Sequence, residues 1–307
     1  MKVHLYKLFR FFLIAITILL LIDFSLGKVM GTLYNRMNVG EKARANYFIR
    51  RDTSSVVIFG SSRALYHYHS KVIADSLGLS VYNAGRSNQS IIYHLALLQG
   101  IVERHPPKTV VLDLKEDEFV KSPYKYEVLS ALLPYCNTNE GIREIYLRAN
   151  PNYKYWSWSH LLPYNSSVFA TLYRGLKRGK DKDIRGFMPL DGTFKDERKI
   201  SKNCGTSSLP IDTVLVTCFH DFVKLCKEKN IELFVTISPR YSRYECVRPE
   251  LSSVLEAAQK SNVAVHDFSE VIDDKTLFYD LWHLNKKGAL VYSQKLAAEL
   301  KLKSATD

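Results

Sequence analysis

Cysteine is sparse and unpatterned: Cys136, Cys204, Cys218, Cys226 and Cys246 include no Cys-x-x-Cys spacing. No metal site follows from them, and nothing else in the chain calls for a cofactor. An odd number of thiols excludes a disulfide framework that uses every cysteine, while a single bridge in an oxidising compartment stays open. Cys218 and Cys226 fall in a helical pattern with apolar neighbours, which predicts buried thiols. Internal repeats and low-complexity tracts are absent, so a repeat array is excluded. The chain also lacks any nucleic-acid-binding motif, although its 43 Lys and Arg outnumber 31 Asp and Glu for a formal charge of +12. Such an excess points to an anionic surface or polymer, with the cell envelope as its setting, or to solvated basic faces.

A long uncharged run is missing too. Lys2, Lys7 and Arg10 precede the apolar segment Phe11 to Ile22, which Asp23 interrupts. The segment is shorter than the roughly 20 residues of a full span. Extended to Lys28 it serves as an uncleaved anchor, and Ser25-Leu-Gly27 alternatively suits signal-peptide cleavage. The expectation is a signal anchor or signal peptide over residues 1–27. Basic residues ahead of the run hold the N-terminus inside and send the remainder to the periplasmic or extracellular face. Residues 28–54 read as a spacer with a short helix.

With 307 residues, 46% hydrophobic and 24% charged, the rest suits one globular domain over 55–302 carrying an insertion at 121–202. Its organising stretch is Val56 to Leu65, VVIFGSSRAL. An apolar, mostly β-branched run ends at Gly60 and a helix is expected from Arg63, which puts Ser61 and Ser62 on a strand-to-helix turn. A hydroxyl there lies at the carboxyl edge of a sheet, beside the positive end of a helix. Taken alone, Gly-Ser-Ser is equally a turn with an N-cap. A second stretch, Phe278 to Leu290, places Asp280 three residues before His283, close enough for a carboxylate to orient an imidazole toward a nucleophile from elsewhere. Ser62, His283 and Asp280 together make a candidate triad.

This pairing of strand-Gly60-Ser61-Ser62-helix with Asp280-Leu-Trp-His283 resembles the SGNH/GDSL hydrolase superfamily. The Ser-Ser-Arg variant, the N-terminal apolar segment and the His-Leu-Asn ending are most similar to its envelope-anchored, DltD-like branch, which includes proteins that assist O-acylation of cell-surface polymers. The resemblance implies Ser62 as nucleophile and Gly85, after a strand and Asn83, as a backbone donor to the oxyanion. In that family an Asn follows the third strand as another donor. Here Asp113-Leu-Lys-Glu-Asp117 stands in its place, leaving Lys115 or Asn88 as substitutes.

Strands at Leu79 to Tyr82, Thr109 to Leu114, Ile231 to Ile237 and Val263 to His266 join the first. Expected helices lie over Arg63 to Leu77 (stopped by Gly78), Ser90 to Glu103, Leu209 to Lys229, Pro249 to Lys260 and Ala289 to Leu300. Alternation of this kind implies an α/β domain of about five parallel strands in three α/β/α layers, the flavodoxin-like SGNH arrangement. His67 and His69 read as exposed surface, with a role as alternative bases left open. Arg240, after the fourth strand, falls on the rim as either an anion-binding residue or half of a structural ion pair. The insertion is rich in aromatics at Tyr153 to Trp158 and in cations from Arg174 to Arg185. It is suited to gripping sugar rings, anionic polymer or lipid headgroups, or is a satellite cluster with a solvated basic edge.

The expected activity is serine-dependent esterase or O-acyltransferase chemistry on acyl esters of envelope glycans or related polymers. The alternative is a non-catalytic partner of a membrane O-acyltransferase that keeps the fold and only binds.

Overall fold

The computed structural model describes residues 2–176, 179, 183, 185–194, 209–241 and 249–306. In chain order its elements are α1 (Lys2–Arg36), α2 (Glu41–Arg51), β1 (Val56–Gly60), α3 (Ser62–His67), α4 (Ser70–Leu77), β2 (Val81–Asn83), α5 (Ile91–Val102) and β3 (Thr109–Asp113). Then come α6 (Tyr124–Glu127), α7 (Leu133–Cys136), α8 (Glu140–Ala149), α9 (Val168–Leu176) and α10 (Thr213–Glu228). The last elements are β4 (Glu232–Ile237), α11 (Pro249–Lys260), β5 (Val265–Asp267) and α12 (Lys286–Thr306). Residues 1–43 and 130–181 form one compact unit, and residues 44–129 with 182–307 form a second. Cys204, Cys246, the basic residues Lys177, Arg178, Lys180 and Lys182, and the expected end of the insertion at Lys202 lie outside the described residues.

The second unit is an α/β fold around a five-stranded, wholly parallel sheet of order β2-β1-β3-β4-β5. Strand β1 is buried at every position, as its unbroken Val-Val-Ile-Phe run requires of a strand covered on both faces. Alternate side chains point to opposite faces. Val56 and Ile58 join Val111, Phe234, Ile73 of α4 and Tyr292 and Leu296 of α12 in one core. Phe59 meets Phe48 of α2, His94 of α5 and Phe222 of α10 on the other. Strand β1 lies between β2 and β3, so the chain reverses its winding there, and the crevice at the carboxyl ends of β1 and β3 is where open α/β sheets take ligands.

Two local expectations are corrected. The helix expected over 63–77 is two helices, broken at Tyr68 and His69. Tyr68 is extended, its hydroxyl held by the Asp113 carboxylate at 2.8 Å, and the His69 imidazole caps α4 by accepting from the Val72 amide. Gly78 ends α4 in the left-handed conformation, as expected. Residues 28–54 are not a spacer with one short helix, because α1 continues to Arg36 and Gly27, Met30, Leu33 and Tyr34 are buried in the first unit. By length and composition α1 is apolar and long enough to cross a membrane. Cys136, Cys218 and Cys226 are buried, as predicted for the latter two.

His94 sits on α5 with both ring nitrogens buried and no hydrogen-bond partner among the described residues. Burial, with a smaller push from the Lys115 charge, drives its imidazole down to about 3. Below the unfolded-state value near 6.5 the unfolded chain takes up a proton that the folded chain refuses, so stability falls as pH falls through that window. His94→Leu should therefore shrink the loss of stability between pH 6.5 and pH 5 by about 2 kcal/mol, read from urea midpoints of the full chain in detergent. An identical loss in both proteins would mean that His94 protonates in the folded state.

Candidate active site

The turn after β1 is set by close packing. Gly60 lies opposite Asp113 in the sheet and adopts φ +146°, and a Cβ there would stand 2.7 Å from both the Ala64 Cβ and the Asp113 carbonyl oxygen. Only glycine fits that conformation and space. Ser61 follows, buried, its hydroxyl making no hydrogen bond and no side-chain cap among the described residues. Ser62 opens α3, where backbone N–H groups have no carbonyl one turn earlier to accept them.

Ser62 Oγ lies 2.9 Å from His283 Nε2, and His283 Nδ1 lies 3.0 and 2.9 Å from the two oxygens of Asp280. The three residues named from sequence spacing therefore meet as an ordered hydrogen-bonded chain. Asp280 also builds the turn that carries His283, since its Oδ1 accepts from the amides of both Trp282 and His283 at 2.8 Å. Burial disfavours the Asp280 carboxylate, but the hydrogen bonds from His283 and these amides outweigh it and hold the group below its usual value. Asn285, the last residue of the His-Leu-Asn ending, starts α12 by accepting from the Lys287 and Gly288 amides at 3.0 Å. Tyr66 sets its ring edge-to-face on His283 at 5.5 Å.

The auxiliary residues fare differently. Gly85 was expected to aim its amide at an oxyanion, yet that N–H donates to Asn83 Oδ1 at 2.9 Å. Its smallness serves packing, because a Cβ would stand 2.6 Å from the Leu65 amide nitrogen of α3. Asn88 is exposed with a positive φ, and Lys115 lies 3.7 Å from Asp117; neither hydrogen-bonds the triad among the described residues. Arg240 is not an open rim cation. It is buried, with Nε 2.9 Å from Glu116 Oε1, while Glu116 also faces Arg63 at 3.2 Å. Of its two expected roles, the structural ion pair is the one present.

His67 is the largest departure from expectation. It is fully buried rather than on the surface, its ring edge-to-face with His283 at 6.2 Å. The Leu284 amide donates to its Nε2 at 3.0 Å, so the proton sits on Nδ1, which faces Ser238 Oγ at 3.1 Å. Ser238 Oγ in turn donates to Asp113 Oδ2 at 3.1 Å. Burial, together with the neighbouring His283 and Arg63, keeps His67 well below an ordinary histidine and therefore neutral. This buried relay ties the backbone next to His283 to the ends of β3 and β4. Its signal in sequence was slight: Asp113 and Ser238 both stand at carboxyl ends of strands, but the helix break that turns His67 inward follows from tertiary contacts.

No group among the described residues gathers enough His, Cys, Asp and Glu to hold a metal ion. His67→Leu would strand the Leu284 amide, an unmet buried group costing about 1–3 kcal/mol, and remove the donor to Ser238 Oγ, which keeps its own bond to Asp113. His67→Gln, which can both accept and donate, should retain part of that stability in urea unfolding. Equal midpoints for the two variants would show that the relay contributes nothing. No family model and no curated protein matches the chain.

Proposed function

We propose that the second unit is a serine-dependent esterase or O-acyltransferase, acting on acyl esters of a cell-envelope glycan or related polymer from outside the cytoplasm. The observation that carries this reading is the unbroken contact from Ser62 Oγ through His283 to Asp280. With His283 Nδ1–H held by an ionised Asp280, Nε2 is left as the acceptor that can take the Ser62 proton. Ser62 Oγ then bonds to the acyl carbon, and negative charge passes to the former carbonyl oxygen. His283 returns the proton to the departing alkoxide as the C–O bond breaks, leaving an acyl-serine. Water or an acceptor hydroxyl, deprotonated by the same imidazole, releases the acyl group and regenerates Ser62. The amide of Ser62, at the start of α3, is the donor assigned to the oxyanion in this reading. Choice of a polymer is supported by the resemblance to envelope acylation proteins and by the basic excess, and export by the cations ahead of the apolar run.

One observation favours a second reading. Gly85 commits its amide to Asn83 and no asparagine follows β3, so the oxyanion site is poor in donors. That suits a non-catalytic partner of a membrane O-acyltransferase which uses the crevice only to bind. A fluorophosphonate probe on the full chain in detergent separates the two. Labelling is expected for wild type and Ser61→Ala and lost in Ser62→Ala. Asp280→Asn should slow turnover of a small ester by about 10⁴, the handicap of a wrongly held imidazole in a serine protease. Absence of wild-type labelling would transfer the assignment to the binding partner, and near-normal turnover in Asp280→Asn would remove Asp280 from the mechanism.

A further inference from the structure

In the first unit, α1 has two unlike halves. Its residues from Leu5 to Leu26 are open to solvent, apart from the partly covered Ala15 and Asp23, whereas Gly27, Met30, Leu33 and Tyr34 are buried. At 1.5 Å per residue the open stretch is about 33 Å long, which matches the roughly 30 Å hydrocarbon core of a bilayer. Lys7 and Arg10, near its start, can extend their charges to the inner surface. Asp23 sits in its last turns, where an unpaired carboxylate would be costly in lipid.

A segment distant in sequence meets that carboxylate. Ser159 Oγ donates to Asp23 at 2.6 Å, the His160 amide at 2.7 Å and the Leu161 amide at 3.4 Å. Phe24 stands edge-to-face with His160 at 5.1 Å, and a Cβ on Gly27 would overlap the His160 carbonyl carbon, so the loop lies flush on the helix. These contacts fix the depth of the loop at the end of the apolar run. Beside them Tyr155, Trp156 and Trp158 are 65%, 44% and 61% exposed. Two exposed cations accompany them, Lys154 over the Tyr155 ring at 4.9 Å and Lys28 over Phe24 at 5.5 Å.

We infer that the loop Tyr155 to Leu161 is a collar that lies in the headgroup layer of the bilayer crossed by α1, with Tyr155, Trp156 and Trp158 at the boundary between acyl chains and headgroups. The inference rests on α1 being a membrane anchor. It assigns these aromatics to lipid instead of to a sugar or polymer chain. Rings with an apolar body and a polar edge concentrate at that boundary, and lysines reach from it to phosphate. The clamp has a second effect, because the donors that set the depth of the loop also satisfy Asp23 where water gives out.

The chain has three tryptophans, Trp156, Trp158 and Trp282, so Trp282→Phe leaves only the collar to emit. The full-length variant would be reconstituted in phosphatidylcholine and phosphatidylglycerol vesicles, the phosphatidylcholine brominated either near the glycerol or near the chain end. Flotation of the protein with the vesicles tests the anchor separately. The expected result is flotation with a large loss of emission from shallow bromines and a smaller loss from deep ones. Flotation with emission untouched by either bromine, and fully quenched by aqueous acrylamide, would overturn the collar while keeping the anchor, and would leave the aromatics to a protein or glycan. Failure to float would overturn the anchor and the collar together. Wild type repeats the measurement with Trp282 as a third emitter, so the result does not depend on the variant folding.

Discussion

The carboxylate of Asp113 is the contact on which the rest of the second unit depends. It is buried at the end of β3, where it accepts from the Tyr68 hydroxyl, the Ser238 amide and the Ser238 hydroxyl, with Arg63 Nε 3.9 Å away. Burial raises its tendency to hold a proton, and the Arg63 charge and the hydrogen bonds oppose that. A buried charge survives only when it is paired and its lone pairs are met. Meeting them draws together the break between α3 and α4, the end of β4 and, through Ser238 and His67, the loop bearing His283. Glu116 completes the arrangement by facing both Arg63 and Arg240.

The consequence for the site is a division of labour. Ser62 and its turn are held by the sheet, with Gly60 pressed on Asp113 and Gly85 pressed on α3. His283 is held by a loop that closes on itself through Asp280 and by the His67 relay beneath it. The His67 relay is buried and polar, so it does not yield without leaving a donor or acceptor unmet. Asn83 belongs to the same class. Its amide donates to the Ala64 and Tyr68 carbonyls while its oxygen takes the Gly85 amide, which stiffens the loop after β2.

The first unit obeys a different constraint. Under the proposed anchoring, its helix leaves an apolar environment while carrying Asp23, whose carboxylate the donors of Ser159 to Leu161 meet. Further along, Tyr34 shares its hydroxyl with Tyr135 at 3.2 Å and stacks obliquely on Tyr164, so α1 is also an interior element of this unit.

Sequence alone determined the features that rest on local periodicity and short spacing. Five strands, their parallel order of alternation with helices, the Gly78 stop and α11 from Pro249 to Lys260 are found where hydrophobic pattern and turn residues put them, to within a few residues. The Gly60 to Ser62 turn and the Asp280 to His283 spacing were legible for the same reason, each being complete within a dozen residues. Tertiary structure alone decided which partner satisfies each polar group. Arg240 was a candidate anion site until Glu116 met it, Gly85 a donor until Asn83 claimed its amide, and His67 a surface residue until the chain broke at Tyr68. For Arg240 and His67 the partners come from other loops, Glu116 for the first and Leu284 with Ser238 for the second, at separations that no periodicity encodes, whereas Gly85 meets Asn83 two residues back. The energy of burying the Arg240 charge or the His67 imidazole is settled by those distant partners and not by neighbours in the chain.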